Sequence, residues 1–278
     1  MTIQLKKIKS LLVASTLTLS ALTSGAVFAH ADHSELVSAI ASDQRTDKNK
    51  ARDIYRHPKE TLDFFGFTSS MTVVEITPGG GWYTEILAPA LKKSGQLYGA
   101  HYPDMGKDDY YSKSRRSLEK KLASNDIFNK VVLTDFTPKK ASTLAPAGSA
   151  DLVLTFRNLH NWGKEGMAQV FKDAFAALKS GGVLGIVEHR MPESQDWEAN
   201  KRSGYVPTAM VVKLAKAAGF SLADSSEINA NPKDKAMHPK GVWTLPPVLR
   251  LGDKDKEKYL AIGESDRMTL KFVKPALK

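Results

Sequence analysis

The run from Thr72 to Thr84, Thr-Val-Val-Glu-Ile-Thr-Pro-Gly-Gly-Gly-Trp-Tyr-Thr, constrains the fold more than any other stretch. Its β-branched start reads as a strand. The strand carries Glu75 near its end, then Pro78, Gly79, Gly80 and Gly81, and an apolar helical pattern follows. Strand, glycine loop and helix in that order open a nucleotide-type pocket in a doubly wound sheet. Glycines let backbone approach a ligand closely, and the free N–H groups of the helix favour a carboxylate or phosphate. A carboxylate at Glu75 would repel pyrophosphate and accept from an ammonium or from sugar hydroxyls. A P-loop is excluded because no Gly-Lys-Ser/Thr follows. The dinucleotide fingerprint fails by one position, with Thr84 where a third glycine belongs. A plain glycine-rich turn is the alternative, and the downstream pattern weighs against it.

The beginning of the chain reads as a signal peptide over residues 1–31, with a retained membrane anchor as the runner-up on a weakly apolar stretch. Lys6, Lys7 and Lys9 precede an apolar stretch from Leu11 to Val27, and Ala29-His30-Ala31 offers a small-x-small cleavage site. Cleavage near Ala31 would leave about 247 residues, 32–278, enough for one α/β domain, and would place the protein in the periplasm or outside the cell. The 278-residue chain has no cysteine, which excludes disulfides, cysteine nucleophiles and thiolate metal sites. Loss of three signal lysines, with no acidic residue among them, lowers the formal charge from +10 to +7. That charge is compatible with weak association with anionic surfaces. Lys and Arg are scattered without a long run, so nucleic-acid binding is not expected, and no segment of the mature chain is long and apolar enough to span a bilayer.

Strand-like runs recur at Thr72 to Ile76, Gln96 to His101, Lys130 to Thr134, Asp151 to Phe156 and Val183 to Glu188. Helical patterns separate them at Tyr83 to Lys93, Ser112 to Asn125 and Met167 to Lys179, the last ending in Ser180-Gly181-Gly182 in the manner of a C-cap. This alternation predicts right-handed βαβ units and a parallel sheet. A sixth strand is expected after Gly219-Phe220, and a last one over Met268 to Val273. Between them lies a long connection containing Gly241-Val-Trp243-Thr-Leu-Pro-Pro247. Connections of that length are more often functional or partly ordered than idle.

Three blocks in this order resemble the class I S-adenosylmethionine-dependent methyltransferases, and more narrowly a group of exported, uncharacterised predicted methyltransferases. They are Glu75 to Thr84, Asp151 to Trp162, and Leu178 to Val183 leading into Glu188-His189-Arg190. The resemblance spans roughly Tyr55 to Pro275. It implies a Rossmann-like seven-stranded sheet, mostly parallel with an antiparallel last strand, and S-adenosylmethionine as cofactor. By the same resemblance Glu75, Pro78, Gly79, Gly80 and Gly81 line its methionine and ribose side, Asp135 and Phe136 hold the adenine, and Arg157 and Asn158 touch cofactor and substrate. The acidic residue that usually ends the second strand is missing. His101-Tyr102 stands there, and Asp104 is the candidate replacement, with His101 as a neutral acceptor the alternative.

Methyl transfer needs alignment and exclusion of water rather than a covalent intermediate or a metal. Where the acceptor is a hydroxyl or ammonium, a base must take a proton, and His160, beside Asn161, is the catalytic candidate. The alternative is that His160 packs the strand end. Glu188 and His189, as neighbours in an extended chain, point to opposite faces and should not pair. The histidines show no short metal-ligand spacing, so no metal is expected. Residues 101–116 combine tyrosines with Lys107, Lys113, Arg115 and Arg116 and form a candidate basic lid for an anionic acceptor. Trp162, Trp197 and Trp243 are candidates for an apolar acceptor wall. The expected function is methyl transfer to a small-molecule acceptor in the cell envelope. The alternative is a sensor of the same fold that binds S-adenosylmethionine or a nucleoside.

Overall fold

The computed structural model describes residues 34–276, so the expected signal peptide lies outside the described residues. Helices α1 (34–41), α2 (Asp47–Lys50), α3 (Asp53–Arg56) and α4 (Pro58–Phe65) precede the sheet. Then come β1 (Thr72–Ile76), α5 (Thr84–Leu91), β2 (Gln96–His101), α6 (Tyr110–Ala123), β3 (Val132–Asp135) and β4 (Ala150–Phe156). They are followed by α7 (Gly163–Ala177), β5 (Leu178–Met191), α8 (Trp197–Asn200), β6 (Val206–Pro207), α9 (Thr208–Ala217), β7 (Ser221–Ser226), α10 (Lys256–Ile262) and β8 (Arg267–Val273).

The sheet runs β3-β2-β1-β4-β5-β8-β7, with the two-residue β6 attached to β5. Pairing is parallel from β3 through β5, whereas β8 lies antiparallel between β5 and β7. This is the expected doubly wound sheet with an antiparallel last strand. Period-2 alternation sends successive strand residues to opposite faces. Val74, Ile76 and Val153 pack with Met167, Phe171 and Val211 of α7 and α9. Val73, Leu152 and Leu154 pack with Leu62, Phe65, Ile86 and Leu36 of α4, α5 and α1. Both faces are therefore covered, as a parallel sheet requires.

Several boundaries differ from the sequence expectation: α6 and α7 start earlier, at Tyr110 and Gly163, β3 starts later, at Val132, and β5 runs from Leu178 to Met191. Helix α7 stops at Ala177 because Leu178 is already extended, at φ −74° and ψ 142°, and pairs with Ala150. Ser180-Gly181-Gly182 is then a turn within the β5 segment, not a helix cap. Gly181, at φ 79°, donates its N–H to Lys274 O at 2.9 Å. Among the described residues, no helix is long and apolar enough to cross a membrane.

Candidate functional site

The strand order reverses between β1 and β4, the switch point where ligands lodge in doubly wound sheets. A cavity of about 520 Å³ opens there at the carboxyl ends of the strands, within the range of small-molecule sites. Thr77 and Gly79 after β1 line it, with Tyr110, Tyr111 and Ser114 of α6. Arg157, Asn158, His160 and Asn161 after β4, and His189 of β5, form the far side. The long connection supplies Val242, Trp243, Pro246 and Arg250 as a wall.

The backbone is strained at both strand ends that meet the cavity. Thr77 and Arg157 hold φ of 53° and 60°, left-handed values that side chains with a Cβ rarely adopt. Each is tied to a neighbouring strand, Thr77 N to Ala100 O and Arg157 N to Val187 O, both at 2.7 Å. Such strain costs on the order of 1–3 kcal/mol per residue and concentrates at functional sites. Thr77 Oγ1 is also buried without a partner, an orphan that a ligand could satisfy.

Glu188 organises the base candidate. Its side chain is fully buried, and its oxygens accept from Leu159 N at 2.6 Å, His189 N at 2.8 Å and His160 Nδ1 at 3.0 Å. The carboxylate assigns the proton of His160 to Nδ1, which leaves Nε2 as the free ring nitrogen of a residue that lines the cavity. His189 makes no side-chain bond to Glu188. Its Nδ1 lies 2.5 Å from Ser265 Oγ, and burial, followed by the neighbouring His160 and Arg267, pushes its imidazole well below the usual range. Ligand atoms of His160, Glu188 and His189 all lie within 4.8 Å of one another. Two imidazoles and a carboxylate can hold a metal, although the spacing gives no sign of it. Here Glu188 already accepts from three N–H donors.

Arginines dominate the remaining wall. Arg52 Nε donates to Glu264 Oε1 at 2.6 Å, Arg267 Nη2 donates to the other oxygen, and Arg56 Nε stands 3.6 Å from it. Burial alone would raise the Glu264 carboxyl, but Arg267, the Arg52 hydrogen bond and Arg56 hold it at about 2. Burial first, and then the charge of Arg267, lowers Arg157 to about 10.

Of the residues expected at the site, Gly79, Arg157, Asn158, His160 and Asn161 come together on the cavity wall. Asn158 Nδ2 also ties the loop to Ile76 O and Thr77 O, at 3.2 and 3.3 Å. The others stand elsewhere. Glu75 is turned into the interior, where Thr84 Oγ1 donates to it at 2.7 Å and burial raises its carboxyl to about 7. Pro78, Gly80 and Gly81 flank the loop without reaching the cavity. Asp104 is exposed and paired with Arg116 at 2.7 Å, and Asp135 is exposed and paired with Arg115 at 3.1 Å. Phe136 is buried in the core against Tyr102 and Trp162. His101 is not a free acceptor, because Nδ1 donates to Tyr102 O and Nε2 accepts from Ser114 Oγ, both at 3.1 Å.

The candidate lid contributes tyrosines rather than charge. Lys113, Arg115 and Arg116 are paired with Asp108, Glu119 and Asp104. Of the three tryptophans only Trp243 reaches the cavity. Residues the sequence did not single out for the site include Thr77, Glu188 as an orienting group, Arg250, Glu264, Ser265 and Arg267.

No protein-family model matches the sequence, and no curated protein does. Solved structures do match in shape. A S-adenosylmethionine-dependent methyltransferase from Aquifex aeolicus aligns over 87% of this chain and 98% of its own, with TM-score 0.55 and 13% identity. A putative sarcosine dimethylglycine methyltransferase from Galdieria sulphuraria aligns over 84% and 89%, with TM-score 0.57 and 13% identity. The fold is the Rossmann-like methyltransferase fold. The cyclase SpnF shares it equally well, at TM-score 0.57 and 14% identity over 90% of this chain and 96% of its own. Shape alone therefore does not fix the reaction.

Proposed function

We propose that this chain is an S-adenosylmethionine-dependent methyltransferase that acts on a small-molecule acceptor in the cell envelope. The observation that carries the reading is the His160–Glu188 pair, whose free Nε2 belongs to a cavity wall shared with the Gly79 loop at the switch point. The cavity fits the cofactor. A Cβ at Gly79 would meet no atom within 4 Å, so the loop is open to a ligand, and Thr77 Oγ1 lacks a partner. Thr77, Gly79 and Asn158 would hold the amino-acid end, and Tyr110, Tyr111 and Ser114 the nucleoside end. With no carboxylate free at the end of β2, hydroxyl groups must take the place of the usual ribose acceptor. When bound, S-adenosylmethionine supplies an electrophilic methyl group.

The protein's own residues do the rest. His160 Nε2 takes the proton of the acceptor, and the Glu188 carboxylate stabilises the imidazolium that results, a contribution of typically 10²- to 10⁴-fold. Val242, Trp243 and Pro246 exclude water from the far side. The basic and then apolar first 31 residues support export.

The test is transfer of labelled methyl from S-adenosylmethionine into an extract of envelope metabolites. Wild type should transfer label, and His160→Ala should lose at least about a hundredfold while binding S-adenosylhomocysteine as before. Equal transfer by the variant would remove His160 as the base. Binding without transfer in any form would make the chain a sensor.

A further inference from the structure

We infer that the acceptor is a multiply charged anion, a phosphate, diphosphate or polycarboxylate, gripped by Arg56 and Arg157. The term acceptor rests on the methyl-transfer reading; the anion site rests on the residues alone.

Five guanidinium groups, those of Arg52, Arg56, Arg157, Arg250 and Arg267, line the cavity, and Glu264 is its one carboxylate. Four positive charges remain unbalanced. Clustering them is costly: burial drives Arg56 well below its usual range, and the next cause is the charge of Arg157. Arg157 is lowered by burial and then by Arg267. An assembly that resists its own charge to this degree is built for a counter-charge.

The hydrogen bonds show where that counter-charge would sit. Arg52 and Arg267 are committed to Glu264, which fixes them as the back of the site. Arg56 is only 3% exposed; it pairs with Glu264 at 3.6 Å and lies over the Trp82 ring at 4.5 Å, yet its Nε and Nη1 are buried with no hydrogen-bond partner. Unpaired buried donors on a charged group are rare and costly. Among the described residues the Arg157 guanidinium, unlike that of Arg56, makes neither a hydrogen bond nor an ion pair, on a residue held at φ 60°. A free planar fork at Arg157, in one cavity with an Arg56 guanidinium whose hydrogen-bonding capacity is unfilled, matches the paired oxygens of phosphate or carboxylate groups. Arg250 is exposed at the mouth, its guanidinium 4.9 Å from the Trp243 ring centroid, where it can draw an anion in.

A carboxylate could also come from the cofactor. S-adenosylmethionine carries one carboxylate against an ammonium and a sulfonium, so it would use one fork and add to the positive excess. The unbalanced charge calls for a second, more anionic ligand.

Calorimetric titration with inorganic pyrophosphate as probe, with and without saturating S-adenosylhomocysteine, separates the two sources. Pyrophosphate should bind wild type alongside S-adenosylhomocysteine, about tenfold or more weaker in Arg157→Met and several-fold weaker in the exposed Arg250→Met. It should bind undiminished in Lys59→Met, a surface control on α4. Absence of pyrophosphate binding, or equal affinity in both arginine variants, would overturn the anion site while leaving methyl transfer intact. Competition between the two ligands, with Arg157→Met losing S-adenosylhomocysteine as well, would assign the arginines to the cofactor carboxylate and overturn the acceptor class. Pyrophosphate binding without any S-adenosylhomocysteine binding would support the anion site and overturn the methyl-transfer reading on which its role as acceptor depends.

Discussion

Replacing Glu188 by glutamine changes one atom type of a fully buried side chain, and its cost can be worked out from the partners. Glu188 Oε1 serves both His160 Nδ1 and His189 N, and Oε2 serves Leu159 N. An amide offers one oxygen. Placed at Oε1 it keeps the two histidine bonds, but its NH₂ group then faces the Leu159 N–H. Placed at Oε2 it satisfies Leu159 and leaves the His189 N–H opposed. Either way one buried donor is orphaned, at about 1–3 kcal/mol, and the bond to His160 loses its charge assistance. Urea unfolding should therefore show a midpoint lower by about 0.3–1 M for a slope near 3 kcal/mol/M. Methyl transfer should fall by about a hundredfold, the lower end for misplacing a base, and the Leu159 or the His189 amide should lose hydrogen-exchange protection. An unchanged midpoint together with unchanged transfer would refute the claim that Glu188 positions His160.

Two further outcomes follow from the same structure. Glu75, lifted by burial to about 7 from an ordinary value of 4.5, binds its proton more tightly folded than unfolded. Its contribution is full below about pH 4.5 and is lost as pH rises through about 7, on the order of 3 kcal/mol in all. Glu75→Gln should flatten that interval in unfolding measured against pH, and an undiminished slope would contradict the buried carboxyl. Gly241 sits at φ 57° with its missing Cβ only 2.1 Å from Ser203 O. Gly241→Ala should destabilise by about 2–4 kcal/mol and disturb Trp243 fluorescence. Gly148→Ala, at φ 63° with open space, should cost only about 1 kcal/mol, and equal losses in melting temperature would contradict the clash.

Much of the fold was legible because local signals agreed with tertiary need. The β1 and β2 boundaries fall where β-branched and apolar runs place them, since those strands are bounded by turn residues at both ends. The end of α7 was misread because Ser-Gly-Gly signals a cap locally, while pairing of Leu178 with Ala150 decides it. His160 and Asn161 were legible from their position after β4. The partner of His160 was not: Glu188 lies 28 residues away, and strand alternation says only that it points away from His189. The arginine cluster was less visible still. Arg52 and Arg56 precede the sheet, Arg157 follows β4, and Arg250 and Arg267 follow α9, so scattered basic residues meet only through the topology. The basic run that did stand out, from Lys107 to Arg116, is largely neutralised by its own acidic neighbours.

The most direct measurement is calorimetric titration of the protein with S-adenosylhomocysteine and, separately, NAD, repeated on Gly79→Arg. A side chain at Gly79 projects into open space on the cavity wall, so the variant should fold with only modest strain and lose the ligand. Micromolar binding of S-adenosylhomocysteine alone, abolished in the variant, is the predicted result. No binding, or binding that Gly79→Arg leaves intact, would contradict the placement of the methyl donor in this cavity.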